Sequence, residues 1–153
     1  MVKKILILGL FGLLLRFNAF AQTEEQEVEA VIKSLFDGMR TKNAQQVAAA
    51  FSKDALMQTI IAKSEGSEVG SNPVSDFVMR ISTTPEGTNL DERILDYQIK
   101  IDGALASAWT PYNFYVNGNF SHCGVNSFQL VKMGDGWKIV YIIDTRRKEP
   151  CES

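Results

Sequence analysis

Three tight-turn signals, Asp102-Gly103, Asn117-Gly118 and Met133-Gly134-Asp135-Gly136, follow one another at short intervals in the second half of the chain. The first two are dipeptides that accept the positive φ angles of two-residue hairpins, and the third is a four-residue link. They divide the sequence into strands near 92–101, 104–116, 119–132 and 137–146, so this half is predicted to be a long antiparallel meander.

Ahead of the meander the period is helical. Val28, Val31, Ile32, Leu35, Phe36 and Met39 fall on one face of a helix of about four turns, and the glutamates at its start suit the positive end of the helix dipole. Asn43 can cap a short second helix over Val47 to Phe51. Asp54 to Ala62 (DALMQTIIA) reads as a strand, KSEGSEVGSNP as a loop or hairpin tip, and Pro73 to Ser82 as a third helix with proline in its first turn. Helices first and strands after define an α+β class. The architecture expected is a cone-shaped fold of about three N-terminal helices packed on a strongly curved antiparallel sheet.

The first residues carry a different message. Lys3 and Lys4 precede an apolar run from Ile5 to Leu15 and then Ala19-Phe20-Ala21, the pattern of a secretory leader cleaved after Ala21. Residues 1–21 are thus expected to be a signal peptide and 22–153 one domain, exported to the periplasm or the medium. The run is too short to span a bilayer, which takes about 20 apolar residues. Cleavage removes three basic side chains and no acid, leaving an excess of about five acidic side chains. That balance argues against nucleic acid or an anionic membrane surface as partner.

Export permits disulfides, and Cys123 and Cys151 are the two cysteines of the chain. Either they bridge, tying the tail to the strand that carries His122, or they are two separate thiols.

The opening EAVIKSLFDGMRTKN with VAAAFSKDA, and the closing AWTPYNFYVNGNFSHCGVNSFQLVKMGDGWKIVYIIDTRRKEPC, resemble the nuclear-transport-factor-2-like, or cystatin-like, superfamily. Within it the chain is most similar to small exported bacterial proteins of the "putative lumazine-binding" family and their SnoaL-like relatives. The resemblance runs from about Glu27 to Cys151, and its second block, with W-x-x-Y-x-F, H-C-G and G-W-K-I, is the more specific. It implies a cone with a pocket between sheet and helices, and commonly a dimer.

Counting pairs back from Asn117-Gly118 sets Asn113 opposite His122 and Trp109 opposite Asn126. Counting from Lys132 opposite Trp137 sets Phe128 opposite Tyr141. One face then collects Trp109, Asn113, His122, Asn126, Phe128 and Tyr141, an aromatic wall with a few polar groups of the kind that binds small molecules. A bulge at Pro111, which cannot donate to a ladder, would swap the facing of Trp109 against that of Asn113 or bring Tyr112 inward instead. His122 has no partner histidine, and Cys123 beside it points to the other face, so neither a metal site nor a Cys-His nucleophile is expected. No cofactor is implied.

The leading expectation is an exported, non-catalytic protein binding a small, partly aromatic or carbonyl-bearing molecule. SnoaL-like cyclases and isomerases resemble this chain in fold and use a carboxylate in the cone to move a proton, which implies His122 with Asp144 as the catalytic candidates. By strand parity, however, Asp144 falls on the face away from the pocket, as an exposed partner for Arg146 or Lys148. A third expectation is a homodimer formed through the sheet face that would carry Val125, Val131, Val140 and Ile142.

Overall fold

The computed structural model describes residues 23–148 and residue 151. The expected leader lies outside the described residues. Three helices, α1 (Glu24–Thr41), α2 (Ala44–Ala49) and α3 (Val74–Ser82), accompany seven strands: β1 (Phe51–Ala62), β2 (Ser67–Pro73), β3 (Leu90–Ile94), β4 (Gln98–Asp102), β5 (Leu105–Val116), β6 (Asn119–Met133) and β7 (Gly136–Thr145). They form an α+β fold of helices on one large curved sheet.

Helix α1 begins with a capping box that the sequence spells as Thr23-Glu24-Glu25-Gln26. The Thr23 side chain accepts from the Gln26 backbone, and the Gln26 side chain accepts from the Thr23 backbone. Asn43 caps α2 through Gln46 N at 3.0 Å, and α2 ends before Phe51, which already belongs to β1. The apolar face of α1 is buried: Val28, Ile32, Leu35, Phe36 and Met39 pack with Ala106, Ala108, Phe128, Leu130 and Ile139 of the sheet. Phe36 meets Phe128 edge to face at 6.3 Å.

The strand order is β2-β1-β7-β6-β5-β3, with β4 also paired to β5. All pairs are antiparallel except β1 with β7, which is parallel. Segment 67–73, expected as a loop, is an edge strand; its side chains are mostly exposed, so it carries no apolar alternation to read. The single strand expected at 92–101 is two. They break at Leu95 to Tyr97, opposite Thr110 and Pro111, where proline offers no donor; the Leu95 amide bonds the Pro111 carbonyl at 2.8 Å.

Two β-bulges decide which side chains face inward. The β5–β6 ladder opens as expected with Val116 opposite Asn119, but Ser121 is an extra residue, so Phe114 rather than Asn113 stands opposite His122. The ladder then runs unbroken through Pro111, opposite Val125. On β6–β7, Lys132 stands opposite Trp137 as expected, but Val140 is extra and Phe128 meets Ile142 rather than Tyr141. A shift of one residue sends every later side chain to the other face.

Cys123 and Cys151 form a disulfide across a sequence separation of 28 residues. In the chain-entropy account such a loop stabilises by about 3.5 kcal/mol. It fastens the tail where Cys123 and Arg147 already exchange backbone hydrogen bonds of 2.9 and 2.8 Å.

Candidate functional site

Beside the core, the sheet together with α1 and α3 lines a cavity of about 500 Å³. Its apolar wall comes from Leu35, Phe36 and Met39 of α1, Phe77 and Ile81 of α3, and Met57, Phe114 and Ile142 of the sheet. Its polar side gathers Glu92, Tyr112, His122, Asn126, Asp144 and Arg146.

Each of these is positioned by its strand. Glu92 belongs to the alternation Leu90, Glu92, Ile94 on β3, whose apolar members face inward. Asn126 donates to Glu92 Oε1 at 2.7 Å, reaching across β5. Glu92 keeps some exposure as a residue, yet burial pushes its carboxyl up to about 8; Asn126 opposes that rise, the charge of Asp144 adds to it and that of Arg146 offsets it. At neutral pH it is mostly a protonated acid that can donate a hydrogen bond. Asp144 is 9% exposed, and its Oδ2 accepts from Arg146 Nε at 2.8 Å.

Tyr112 is fully buried and donates to the Thr145 carbonyl at 3.0 Å. Burial, then the nearby charges of Glu92 and Asp144, push its hydroxyl pKa upward, so it stays a donor. His122 packs against Phe114 and edge-on against Tyr112, with Ser121 Oγ 3.1 Å from its Nδ1. Burial, then the charge of Arg146, lowers its pKa, with Asp144 pulling the other way, so the imidazole is mostly neutral at pH 7.

Of the seven expected pocket residues, Tyr112, His122 and Asn126 line the cavity. Trp109, Asn113 and Tyr141 are corrected: the bulges at Ser121 and Val140 turn them to the outer face, where Trp109 is 49% exposed and Tyr141 donates to Gln58 at 2.7 Å. Phe128 faces inward but sits in the core beneath Phe36. Asp144 is corrected the opposite way, because the extra Val140 carries it into the cavity rather than out to solvent. Ile142 likewise leaves the expected outer patch for the core. Glu92 escaped notice, although its place between Leu90 and Ile94 on a period of two signals an inward acid.

A helix-backed curved sheet closing on an apolar cavity with a polar side is the architecture of the nuclear-transport-factor-2-like, cystatin-like superfamily. The chain belongs more particularly to the family described as "Putative lumazine-binding", whose model matches residues 23–142. Among solved structures it is similar to a nuclear-transport-factor-2-like protein of unknown function from Shewanella baltica, at 17% identity and TM-score 0.62, covering 86% of this chain and 100% of that one. It is also similar to a cystatin-like domain of unknown function from Nostoc punctiforme, at 18% identity and TM-score 0.62, over 84% and 80% of the two chains. A third is "a putative dehydratase" from Streptomyces avermitilis, at 11% identity and TM-score 0.62, over 81% and 96%. Identities this low speak for the fold alone. No curated protein sequence matches significantly.

Proposed function

We propose that this chain is an exported small-molecule-binding protein that holds its ligand in the cone without converting it. The observation that carries this reading is the cavity itself, apolar on one side with hydrogen-bonding groups gathered on the other. Those groups are largely engaged with one another, Glu92 with Asn126 and Asp144 with Arg146, which suits recognition. Export rests on the leader-like residues 1–21.

A second reading is acid-base chemistry of the SnoaL type, and one observation favours it: Asp144, Glu92 and His122 share the cavity. The two readings part in heavy water. Exchange of the α-protons of 2-tetralone, followed by NMR, is expected to proceed at the same rate with and without protein. An acceleration lost in Asp144→Asn would overturn the binding-only reading.

For assembly, the outer sheet face offers Val125, Val131 and Val140 with exposed Trp109 and Leu56, and we place a second copy there. A strict monomer in sedimentation at high concentration removes this proposal.

A further inference from the structure

Among the described residues, two buried polar atoms of cavity-lining side chains have no hydrogen-bond partner. Asp144 uses Oδ2 for Arg146, but its Oδ1 is buried and unbonded, and so is Thr59 Oγ1. The two residues are register partners across the parallel β1–β7 pair, so they rise side by side from adjacent strands, and both line the cavity. A buried polar group left unbonded is costly, and more so when charged, so a fold that keeps two together in side chains lining a cavity leaves a demand that a guest can meet.

The chemistry of the pair defines that guest. A carboxylate oxygen only accepts; a threonine hydroxyl donates and accepts. One hydroxyl on a ligand satisfies both, giving its proton to Asp144 and taking one from Thr59. An ether or a ketone can meet only Thr59, and a carboxylate would be repelled by Asp144. An ammonium ion could donate, but the charges around the site disfavour it. Arg146 already balances Asp144, and Arg80, which also lines the cavity, has no ion-pair partner among the described residues. Both atoms are covered in this structure, so a guest hydroxyl meets them only as the two side chains rotate, for which the broad χ2 wells of aspartate leave room.

We propose that the cavity takes a neutral, largely apolar molecule bearing a hydroxyl group, and that Asp144 with Thr59 reads that hydroxyl. This rests on the cavity being a ligand site. The test is calorimetric titration at pH 6.5 of 2-naphthol and 4-phenylphenol against their methyl ethers. The wild-type protein is expected to prefer each hydroxyl compound by about tenfold or more, as a site built around a hydrogen bond does. In Asp144→Asn, where the amide oxygen can keep Arg146 and the amide nitrogen faces the ligand, the preference should vanish or reverse. Thr59→Val, which keeps shape and removes an unbonded hydroxyl, should fold at least as well and weaken the preference several-fold, so it carries the test should Asp144→Asn fail to fold. Hydroxyl and ether forms binding equally to the wild type would overturn the inference and leave the cavity reading intact. An unchanged preference in Asp144→Asn and Thr59→Val would overturn it as well. No binding by any of the four compounds would overturn both.

Discussion

Gly124→Ala is expected to destabilise the protein by about 4 kcal/mol and to lower its melting temperature by roughly 15 °C. A Cβ at this position would lie 1.8 Å from the Thr145 carbonyl oxygen and 2.8 Å from its carbon, so backbone rather than a side-chain tip would have to move. What holds that carbonyl in place is local. Tyr112 donates to it, the Val125 amide bonds Thr145 Oγ1 at 3.1 Å, and beyond it Cys123 and Arg147 resume the ladder. The Thr145 carbonyl therefore turns out of the β6–β7 ladder and over Gly124, which only a residue without a side chain permits. Asp144 and Arg146 flank that kink, so the same substitution should displace the Asp144–Arg146 ion pair and weaken any ligand bound there. Gly134→Ala is the control, since a Cβ there meets nothing within 4 Å, and it should change stability by no more than about 0.5 kcal/mol. Thermal and urea unfolding of the three proteins checks both expectations.

The second large effect is a dependence of stability on pH that Glu92→Gln abolishes. The folded-state pKa of Glu92 is raised from its ordinary 4.5 to about 8, chiefly by burial. The native state therefore holds a proton that the unfolded chain releases, and the group's contribution is fully present below about pH 4.5. It is lost as pH rises through that window, until above about 8 the cavity must hold a buried charge. Taken whole, the shift corresponds to about 5 kcal/mol. Residual solvent contact at Glu92 screens it, and a loss of about 2 kcal/mol between pH 5 and pH 9, relative to Glu92→Gln, is expected. His122 works in the opposite direction: its lowered pKa removes stability as pH falls below the ordinary histidine range, and it does so in wild type and variant alike. Urea unfolding of both proteins at pH 5 and pH 9 isolates the Glu92 contribution as a double difference. Parallel slopes in the two proteins would remove Glu92 from the buried cluster.

Much of this fold is legible in the residues. The helical period of Val28 to Met39 marks the buried face of α1, and Asn117-Gly118, with φ of 52° and 78°, forms the hairpin that its composition announces. Pairing beyond the turns is a different matter. From Asn117-Gly118 the register holds for two pairs, and from Gly134-Asp135 for four, before Ser121 and Val140 each add a residue. Nothing in serine or valine signals a bulge, whereas Pro111, which does, breaks only the edge strand on its other side. Because side chains alternate, those two insertions exchange Trp109, Asn113 and Tyr141 for Phe114, Tyr112 and Asp144 at the cavity wall. The types of residue in the site could thus be read from sequence better than their identities. Glu92 was within reach by parity alone, while the demand at Thr59 and Asp144 arises only when β1 and β7 come together.

Native mass spectrometry of the protein purified without reducing agent from an exporting host decides whether the cone holds a small molecule at the side of Glu92, Asn126 and Asp144. Wild type is expected to carry an added mass that leaves on gentle activation, and Met57→Trp, which fills the cavity with a larger ring, to lack it while melting within a few degrees of wild type. A wild-type protein that shows only its own mass, and that gains none when offered the organic extract of the producing cells, would mean that the cone holds no such ligand.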